Sequence, residues 1–469
     1  MILGVTFMTP DQQQSTASDS AASQNAPELH SFPLGSEDLR RGTREERARG
    51  WYAHRHKRSI QRWARAVADD LTIDDLRKTM ERRVPPVIRE YFRGGADTEH
   101  TLRDNIEAFQ RVRLNPSYAV KVEPDLRTTV LGQKISMPVI AAPVGSLRLL
   151  WPRGEAVAAK AVGAARTIVA LSTLTGTRLE EVKDAAQGPC WYQLYLVGGR
   201  NAALRGIERA KEADYAALVL TIDTPVTGNR VGHARMKPMD AISGNLKQKA
   251  KFGPQMMHHL SWLTSFKADG GAMQFANVIL DDGSTMPYAD IGAQLRQSAV
   301  TWEDVKWIKQ AWGDRPIIIK GVHNFKDARL AEQHGASAIV ISNHGGRQLD
   351  RVLPTLHMLN EVAPRLKAEQ SKMEILMDGG VRSGSDVVIA RALGAKAVLV
   401  GRAYAYGLGA GGEAGVKRAF DILRKETDDT MRQLGCAKLD DLDPSQHLRP
   451  YPFSEAGAGL VRVWTSSPA

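Results

Sequence analysis

His344 and Arg347 lie three residues apart in the stretch Ser342-Asn-His-Gly-Gly-Arg-Gln-Leu-Asp350, directly after the apolar run Ala338-Ile-Val-Ile341. An imidazole can take a proton near neutral pH, and a guanidinium can hold a carboxylate through its planar fork of donors. Gly345 and Gly346 free the backbone to turn tightly enough for both side chains to face one small ligand. Taken alone, the pattern also describes an ordinary strand-to-helix turn with a surface His and Arg. The elements around it decide between the two.

Eight short apolar runs alternate with helical patterns: Pro138–Val144, Thr167–Ser172, Trp191–Leu196, Ala217–Asp223, Pro316–Val322, Ala338–Ser342, Glu374–Asp378 and Ala397–Gly401. Near-continuous apolar strands separated by helices indicate a parallel sheet buried on both faces, and eight of them indicate an α/β fold of the closed (β/α)8 TIM-barrel type. Nearly every run ends in polar or turn residues: Pro143-Val-Gly145, Ser172, Gln193 and Tyr195, Thr221 and Asp223, Lys320, Ser342 to Arg347, Asp378-Gly-Gly380, and Gly401-Arg402. In a barrel these ends meet at one mouth, where active sites of this architecture lie. A doubly wound sheet, the competing fold, would not gather residues from all eight strand ends.

The chain has 469 residues, 43% hydrophobic and 25% charged, enough for a substantial core. Lys and Arg number 63 against 52 Asp and Glu, a net charge of +11, so anionic partners come into consideration. Part of the excess is local, in the Arg-rich segment from Arg40 to Arg65, and no nucleic-acid partner is expected without a folded motif. Two cysteines, Cys190 and Cys436, are too few for a disulfide framework or a zinc cluster, which fits a reducing, cytoplasmic setting. Met1 to Met8 is apolar but lacks a basic flank, so neither a signal peptide nor a membrane span is expected, and Met8 is an alternative start.

Three regions are expected: a polar and basic, largely disordered extension over residues 1–70, the barrel over 71–448, and a tail over 449–469. Within the first turn of the barrel region, Thr72-Ile-Asp-Asp75 reads as a capping box, and Val84-Pro-Pro86 ends one helix and starts another through Phe92. After the fourth run an insertion of roughly sixty residues, about 232–300, interrupts the alternation. It mixes Lys247, Lys249 and Lys251 with Met256, Met257, Trp262 and Phe266, which reads as a lid or as a patch that sits on a partner or on a membrane surface, such as the inner face of the membrane. A mobile loop without a specific role is the alternative. His258 and His259 are adjacent and project apart, so no metal site is expected. Gly407-Leu-Gly-Ala-Gly-Gly412 satisfies GxGxxG but does not directly follow its strand, and reads as helix packing.

From about Ile73 to Leu448 the chain resembles the FMN-dependent α-hydroxy-acid oxidase and dehydrogenase family, which includes glycolate oxidase, L-lactate dehydrogenase and mandelate dehydrogenase. The resemblance rests on Tyr91-Phe-Arg-Gly-Gly-Ala-Asp97, Pro152-Arg-Gly-Glu155, Gln193-Leu-Tyr195, Thr221-Ile-Asp-Thr-Pro225, Lys320-Gly321, Ser342 to Asp350, Asp378-Gly-Gly-Val-Arg-Ser-Gly384 and Gly401-Arg402, in the family's order. It implies oxidation of an L-2-hydroxy acid, lactate-like or larger, to the 2-oxo acid. Arg230 and Arg347 would clamp the carboxylate, Tyr91 and Tyr195 would hydrogen-bond carboxylate and hydroxyl, and His344 would be the base with Asp223 as its acidic partner. Lys320 would stand by the flavin ring, with Thr221, Gln193, Ser172 and the backbone of Pro143, Val144 and Gly145 at its edge. Gly379, Gly380, Arg382, Gly401 and Arg402 would hold the phosphate and Asp378 the ribityl chain, with Ser342 beside them. The resemblance also implies a homo-tetramer or larger, and it leaves the electron acceptor open among oxygen, a quinone and a carrier protein.

Leu174 stands where glycolate oxidase has Trp, and Gly145 where several oxidases have Ala, which implies a roomier site and leaves oxidase and dehydrogenase both open. No cytochrome b5-like haem domain is expected before the barrel, because the N-terminal region is too polar and lacks a paired His-Pro-Gly-Gly type motif. Two alternatives remain: another phosphate-binding barrel enzyme such as a type 2 isopentenyl-diphosphate isomerase, and a basic scaffold on membrane or nucleic acid.

Overall fold

The structure, a computed structural model, describes residues 60–450 apart from Ala272. The expectations for the N-terminal extension up to residue 59, and for the tail beyond 450, lie outside the described residues. A closed barrel of eight parallel strands forms its centre: β1 Val139–Ala141, β2 Val169–Ser172, β3 Cys190–Leu194, β4 Ala217–Thr221, β5 Ile317–Val322, β6 Ala338–Ile341, β7 Glu374–Asp378 and β8 Ala397–Val400. Each of the eight expected runs overlaps one of these strands, with its polar residues near the C-terminal end of the strand or just after it.

Successive strand residues divide between two apolar layers, as the pleat requires. Ile140, Ala170, Trp191, Val219, Ile318, Val340, Leu376 and Leu399 form one cluster with Val130 and Ile135 of a small hairpin, Thr128–Val130 with Gln133–Ile135. Their neighbours Val139, Leu171, Tyr192, Leu220, Ile319, Ile341, Met377 and Val400 pack outward among the helices. Burial on both faces is why these strands read as unbroken apolar runs. The hairpin, which the sequence did not reveal, stops the N-terminal end of the barrel: Glu374 accepts from Leu131 N at 3.1 and 3.0 Å, and Trp191 Nε1 donates to Gln133 Oε1 at 3.0 Å. The C-terminal end is left for a ligand.

Two helices, Ile73–Arg83 and Pro86–Arg93, lead in as expected. Thr72 Oγ1 accepts from Asp75 N at 3.1 Å while the Asp75 carboxylate accepts from Thr72 N at 3.1 Å, a reciprocal cap. The GxGxxG segment forms the last turns of the helix Arg402–Gly411 and its cap, Gly412. A Cβ on Gly407 would come within 2.3 Å of Gly415 O, so these glycines allow close helix packing.

The insertion after β4 folds into five short helices between Val231 and Ala268, a hairpin of Gln274–Ile279 with Thr285–Pro287, and a helix Ile291–Arg296. Its second half is fastened to the barrel. Trp262 Nε1 donates to Leu149 O at 2.7 Å, Asp269 pairs with Arg148, and Asn277 bonds Thr175, Thr177 and Leu179 at 2.8, 3.0 and 2.9 Å. The helices Leu246–Ala250 and Gly253–His258, in contrast, bury none of their own residues, and Leu246 is 85% exposed.

Candidate active site

The Ser342 to Asp350 stretch leaves β6 in an unusual backbone: His344, Gly345 and Gly346 all have left-handed φ, at 57°, 62° and 73°. A histidine there is strained, and such strain persists only where the surroundings fix it. Three contacts do so. Ser342 Oγ accepts from His344 N at 3.1 Å, Asn343 and Asn105 exchange amide bonds at 2.9 Å each, and Asp350 accepts from Thr98 N, His100 N and Thr101 N at 3.1, 3.3 and 2.8 Å. These bonds hold the Asp350 carboxyl well below its usual range although burial opposes this. They also start the helix His100–Gln110 and lock it to the working loop. Gly346 cannot be larger, since a Cβ would meet Leu102 N at 2.6 Å.

This backbone aims His344 at Asp223, which follows β4: Nδ1 lies 2.9 Å from Asp223 Oδ1, and Nε2 lies 3.4 Å from the Tyr195 hydroxyl. Burial lowers the His344 pKa, with Asp223 opposing it. Burial would raise that of Asp223, but His344 and Lys320 outweigh it and hold Asp223 ionised. The pair is therefore neutral imidazole with carboxylate, Nδ1–H donating to Asp223 and Nε2 carrying the free lone pair. An imidazole held in this way can accept a proton at Nε2.

Lys320, on β5, is 4% exposed. Its ammonium lies 3.0 Å from Asp378 Oδ2 and donates to Ser342 Oγ at 2.8 Å, while Ser342 Oγ donates to Asp378 Oδ1 at 2.7 Å. Burial disfavours its charge, but Asp378 and Asp223 outweigh this and raise its pKa, so it is a fixed cation.

One cavity of about 400 Å³ lies above β1 to β8, lined by Tyr91, Pro143, Val144, Gly145, Ser172, Tyr195, Arg230, Lys320, His344, Arg347, Asp378, Gly379, Gly380, Arg382, Gly401 and Arg402. Four guanidiniums face it, and among the described residues none of the four has a carboxylate partner. Arg347 Nη1 donates to Gly94 O at 2.9 Å, and Arg230 Nε lies 3.5 Å from Arg347 O. Arg402 donates to Phe92 O, Gly345 O and Gly94 O at 3.0, 2.8 and 3.0 Å, and Arg382 Nη1 to Val381 O at 2.7 Å. Burial, then mutual repulsion with Arg230 and Arg402, lowers the Arg347 pKa well below its usual value. Four such cations within one cavity call for anionic ligands.

Of the expected site residues, Gln193, Thr221, Asp223 and Ser342 do not line the cavity themselves. Asp223 and Ser342 act on it through His344 and Lys320. Gln193 Nε2 and Thr221 Oγ1, at the ends of β3 and β4, are buried without a partner. A Cβ on Gly145 would come within 2.1 Å of Leu174 O, so in this backbone the close approach of the Leu174 carbonyl favours glycine there. Sequence reasoning missed Asn105, the role of Asp350, and the part of the lining that comes from the insertion: His233, Phe275, Tyr288, Ile291 and Leu295. No local spacing signals the last group, because a lid and a mobile loop have the same composition.

A parallel barrel whose mouth joins a His–Asp base, a buried Lys and unpaired arginines defines an anion-binding, acid–base enzyme site. A family model described as FMN-dependent dehydrogenase matches residues 80–450, and the chain belongs to that family of FMN-dependent hydroxy-acid oxidoreductases. It is 40% identical over 362 residues to an L-lactate dehydrogenase of Ectopseudomonas mendocina, covering 75% of this chain and 92% of that one. It is 36% identical over 392 residues to the glycolate oxidase of Spinacia oleracea, covering 83% and 99%. The crystal structure of a monotopic membrane protein, (S)-mandelate dehydrogenase, superposes with a TM-score of 0.74 at 32% identity, covering 81% of this chain and all of that one. Neither the isomerase nor the scaffold alternative gains support from these relatives.

The residues present fit FMN. Gln193 Nε2 and Thr221 Oγ1, at the strand ends, are buried without a protein partner, Lys320 offers a cation in the cavity, and Arg382 and Arg402 beside Gly379, Gly380 and Gly401 match a phosphate. Gly379 and Gly380 have φ of 95° and 85°, and a Cβ on Gly380 would come within 2.1 Å of Asn105 O.

Proposed function

We propose that this enzyme oxidises an L-2-hydroxy acid with a side chain of lactate size or larger to the 2-oxo acid. The observation that carries the reading is the pair Arg230 and Arg347, without carboxylate partners among the described residues, in one cavity with the neutral His344. The two guanidiniums hold the substrate carboxylate, helped by the Tyr91 hydroxyl. This places the substrate carbinol near His344 Nε2 and the Tyr195 hydroxyl. FMN, when bound, supplies the two-electron acceptor. His344 Nε2 takes one proton from the substrate, either from the hydroxyl as Cα–H leaves with its electron pair, or from Cα. Asp223 then faces an imidazolium, whose charge it stabilises at Nδ1. Lys320 keeps a positive charge beside the cofactor site, and Gln193, Thr221, Ser172, Asp378, Arg382 and Arg402 would bind the cofactor. Phe275, Leu295, Ile291 and Leu174 give the cavity an apolar side, which supports substrates larger than glycolate.

No helix among the described residues is long and apolar enough to cross a membrane. The insertion nevertheless presents Leu246, Met257 and Leu260, 85, 63 and 39% exposed, beside Lys247, Lys249 and Lys251. We read this face as a peripheral contact with an anionic membrane, where a quinone could accept the electrons, and the working form as a homo-oligomer.

Anaerobic mixing of the yellow holoprotein with L-lactate, L-mandelate and their D-enantiomers tests the reaction. Bleaching of flavin absorbance by an L-acid is expected. A holoprotein that no L-2-hydroxy acid bleaches would overturn the reading.

A further inference from the structure

Tyr91, of the carboxylate site, is reached by a side chain of the insertion through a hydrogen bond. The Tyr288 hydroxyl donates to the Tyr91 hydroxyl at 3.4 Å, and the Tyr91 hydroxyl donates to Gly145 O at 2.9 Å. The first contact is long for two hydroxyls, as is Tyr195 to His344, and contacts of this kind shorten when ligand arrives. Tyr288 itself is rigidly held. It is 2% exposed, its ring stacks on Phe275 with centroids 4.5 Å apart, and the Phe275 strand is pinned through Asn277 to the loop after β2. Burial raises its pKa well above the usual value, so it is a hydroxyl donor at any working pH. The Tyr91 ring is fixed as well, stacked on His233 at 5.4 Å with Arg347 5.7 Å from its centroid.

A tyrosine hydroxyl has one proton to give. With that proton on Gly145 O, Tyr91 shows an arriving carboxylate only lone-pair density. To bind the substrate it must rotate its proton toward the anion, and its oxygen then needs a donor of its own. Tyr288 is in place to be that donor, and a hydroxyl that accepts a hydrogen bond donates a stronger one.

Resting on the proposed 2-hydroxy-acid reaction, we propose that Tyr288 is a positioning residue of the insertion: it orients and strengthens the Tyr91 hydroxyl toward the substrate carboxylate. The insertion is thus part of the binding site and not only its cover.

The test is a double-mutant cycle on the FMN holoenzyme with Tyr288→Phe, Tyr91→Phe and the double variant, using L-lactate or L-mandelate, whichever turns over faster. Phenylalanine keeps the stack on Phe275, so Tyr288→Phe should melt as the parent does. It should raise KM by about threefold to tenfold with kcat within about twofold, the size expected for one neutral hydrogen bond. In the Tyr91→Phe background it should have no further effect. Equal effects in both backgrounds, or an unchanged KM in the single variant, would overturn the proposal. Oxalate, followed through flavin absorbance, reports carboxylate affinity without turnover. Oxalate binding weakened by Tyr288→Phe in a protein that oxidises no L-acid would sink the reaction and keep the role of Tyr288, whereas oxalate binding untouched by the substitution would sink that role.

Discussion

His344 Nδ1 lies 2.9 Å from Asp223 Oδ1, although 121 residues separate them. The contact fixes which nitrogen carries the proton, and the unusual backbone at His344 serves that aim. Replacing His344 by Gln keeps a hydrogen bond to Asp223 within reach and removes the base. We expect the variant to bind FMN normally and to lose about 10²- to 10⁴-fold in the rate of flavin bleaching. Stopped-flow absorbance measures it; an unchanged rate would remove His344 from the base role.

The pH dependence follows from the same pair. Burial lowers the His344 pKa below its ordinary 6.5, and Asp223 stays ionised. Bleaching by substrate should therefore be level through neutral pH and fall only as pH drops below about 6.5, toward the lowered value. Stability moves the same way. His233, pushed down to about 3 by burial and then by Arg347 and Arg230, binds its proton more weakly in the fold than in the unfolded chain. Between those values the unfolded state carries more protons, so stability is full above about 6.5 and is lost as pH falls, by up to about 1.4 kcal/mol per pH unit per group. Thermal melts from pH 8 to 4 check this, with His233→Phe expected to flatten the slope.

Arg230 and Arg347 are expected to act as planar forks and not as mere charges. Lys at either position keeps the charge and loses the bidentate geometry. KM should rise about 10- to 100-fold with FMN occupancy unchanged, from steady-state kinetics on holoprotein. A Lys variant with wild-type KM would dissolve the clamp.

Lys320 neutralises Asp378 inside the barrel at 3.0 Å. Lys320→Met strands that carboxylate, and removing one partner of a buried pair costs about 3–5 kcal/mol. The variant should melt markedly lower and purify with little flavin. Adding Asp378→Asn should restore part of the stability and none of the flavin retention.

The exposed apolar and basic residues of the insertion predict sedimentation with vesicles of anionic lipid and release by salt. Leu246→Glu combined with Met257→Glu should abolish sedimentation while leaving flavin bleaching unchanged. Equal sedimentation of variant and parent would refute the membrane face.

The sequence by itself determined the barrel and most of its mouth. Each strand is a local apolar run, and each ends in a polar residue that a parallel barrel must place at one rim, so Lys320, His344 and Asp378 could be gathered by counting strand ends. The motif order from Tyr91 to Arg402 added the reaction class. Tertiary structure decided what depends on residues far apart in the chain: the direction of His344 toward Asp223, the Asn105–Asn343 exchange behind the loop, and the hairpin that stops the barrel. It also made the insertion part of the site by setting Tyr288 against Tyr91, with Phe275 stacked on Tyr288, and it placed the Leu174 carbonyl against Gly145. Spacing along a chain encodes the period of an element and the turn that ends it. Which side chains then meet across the mouth depends on how the elements pack, and no local pattern records that.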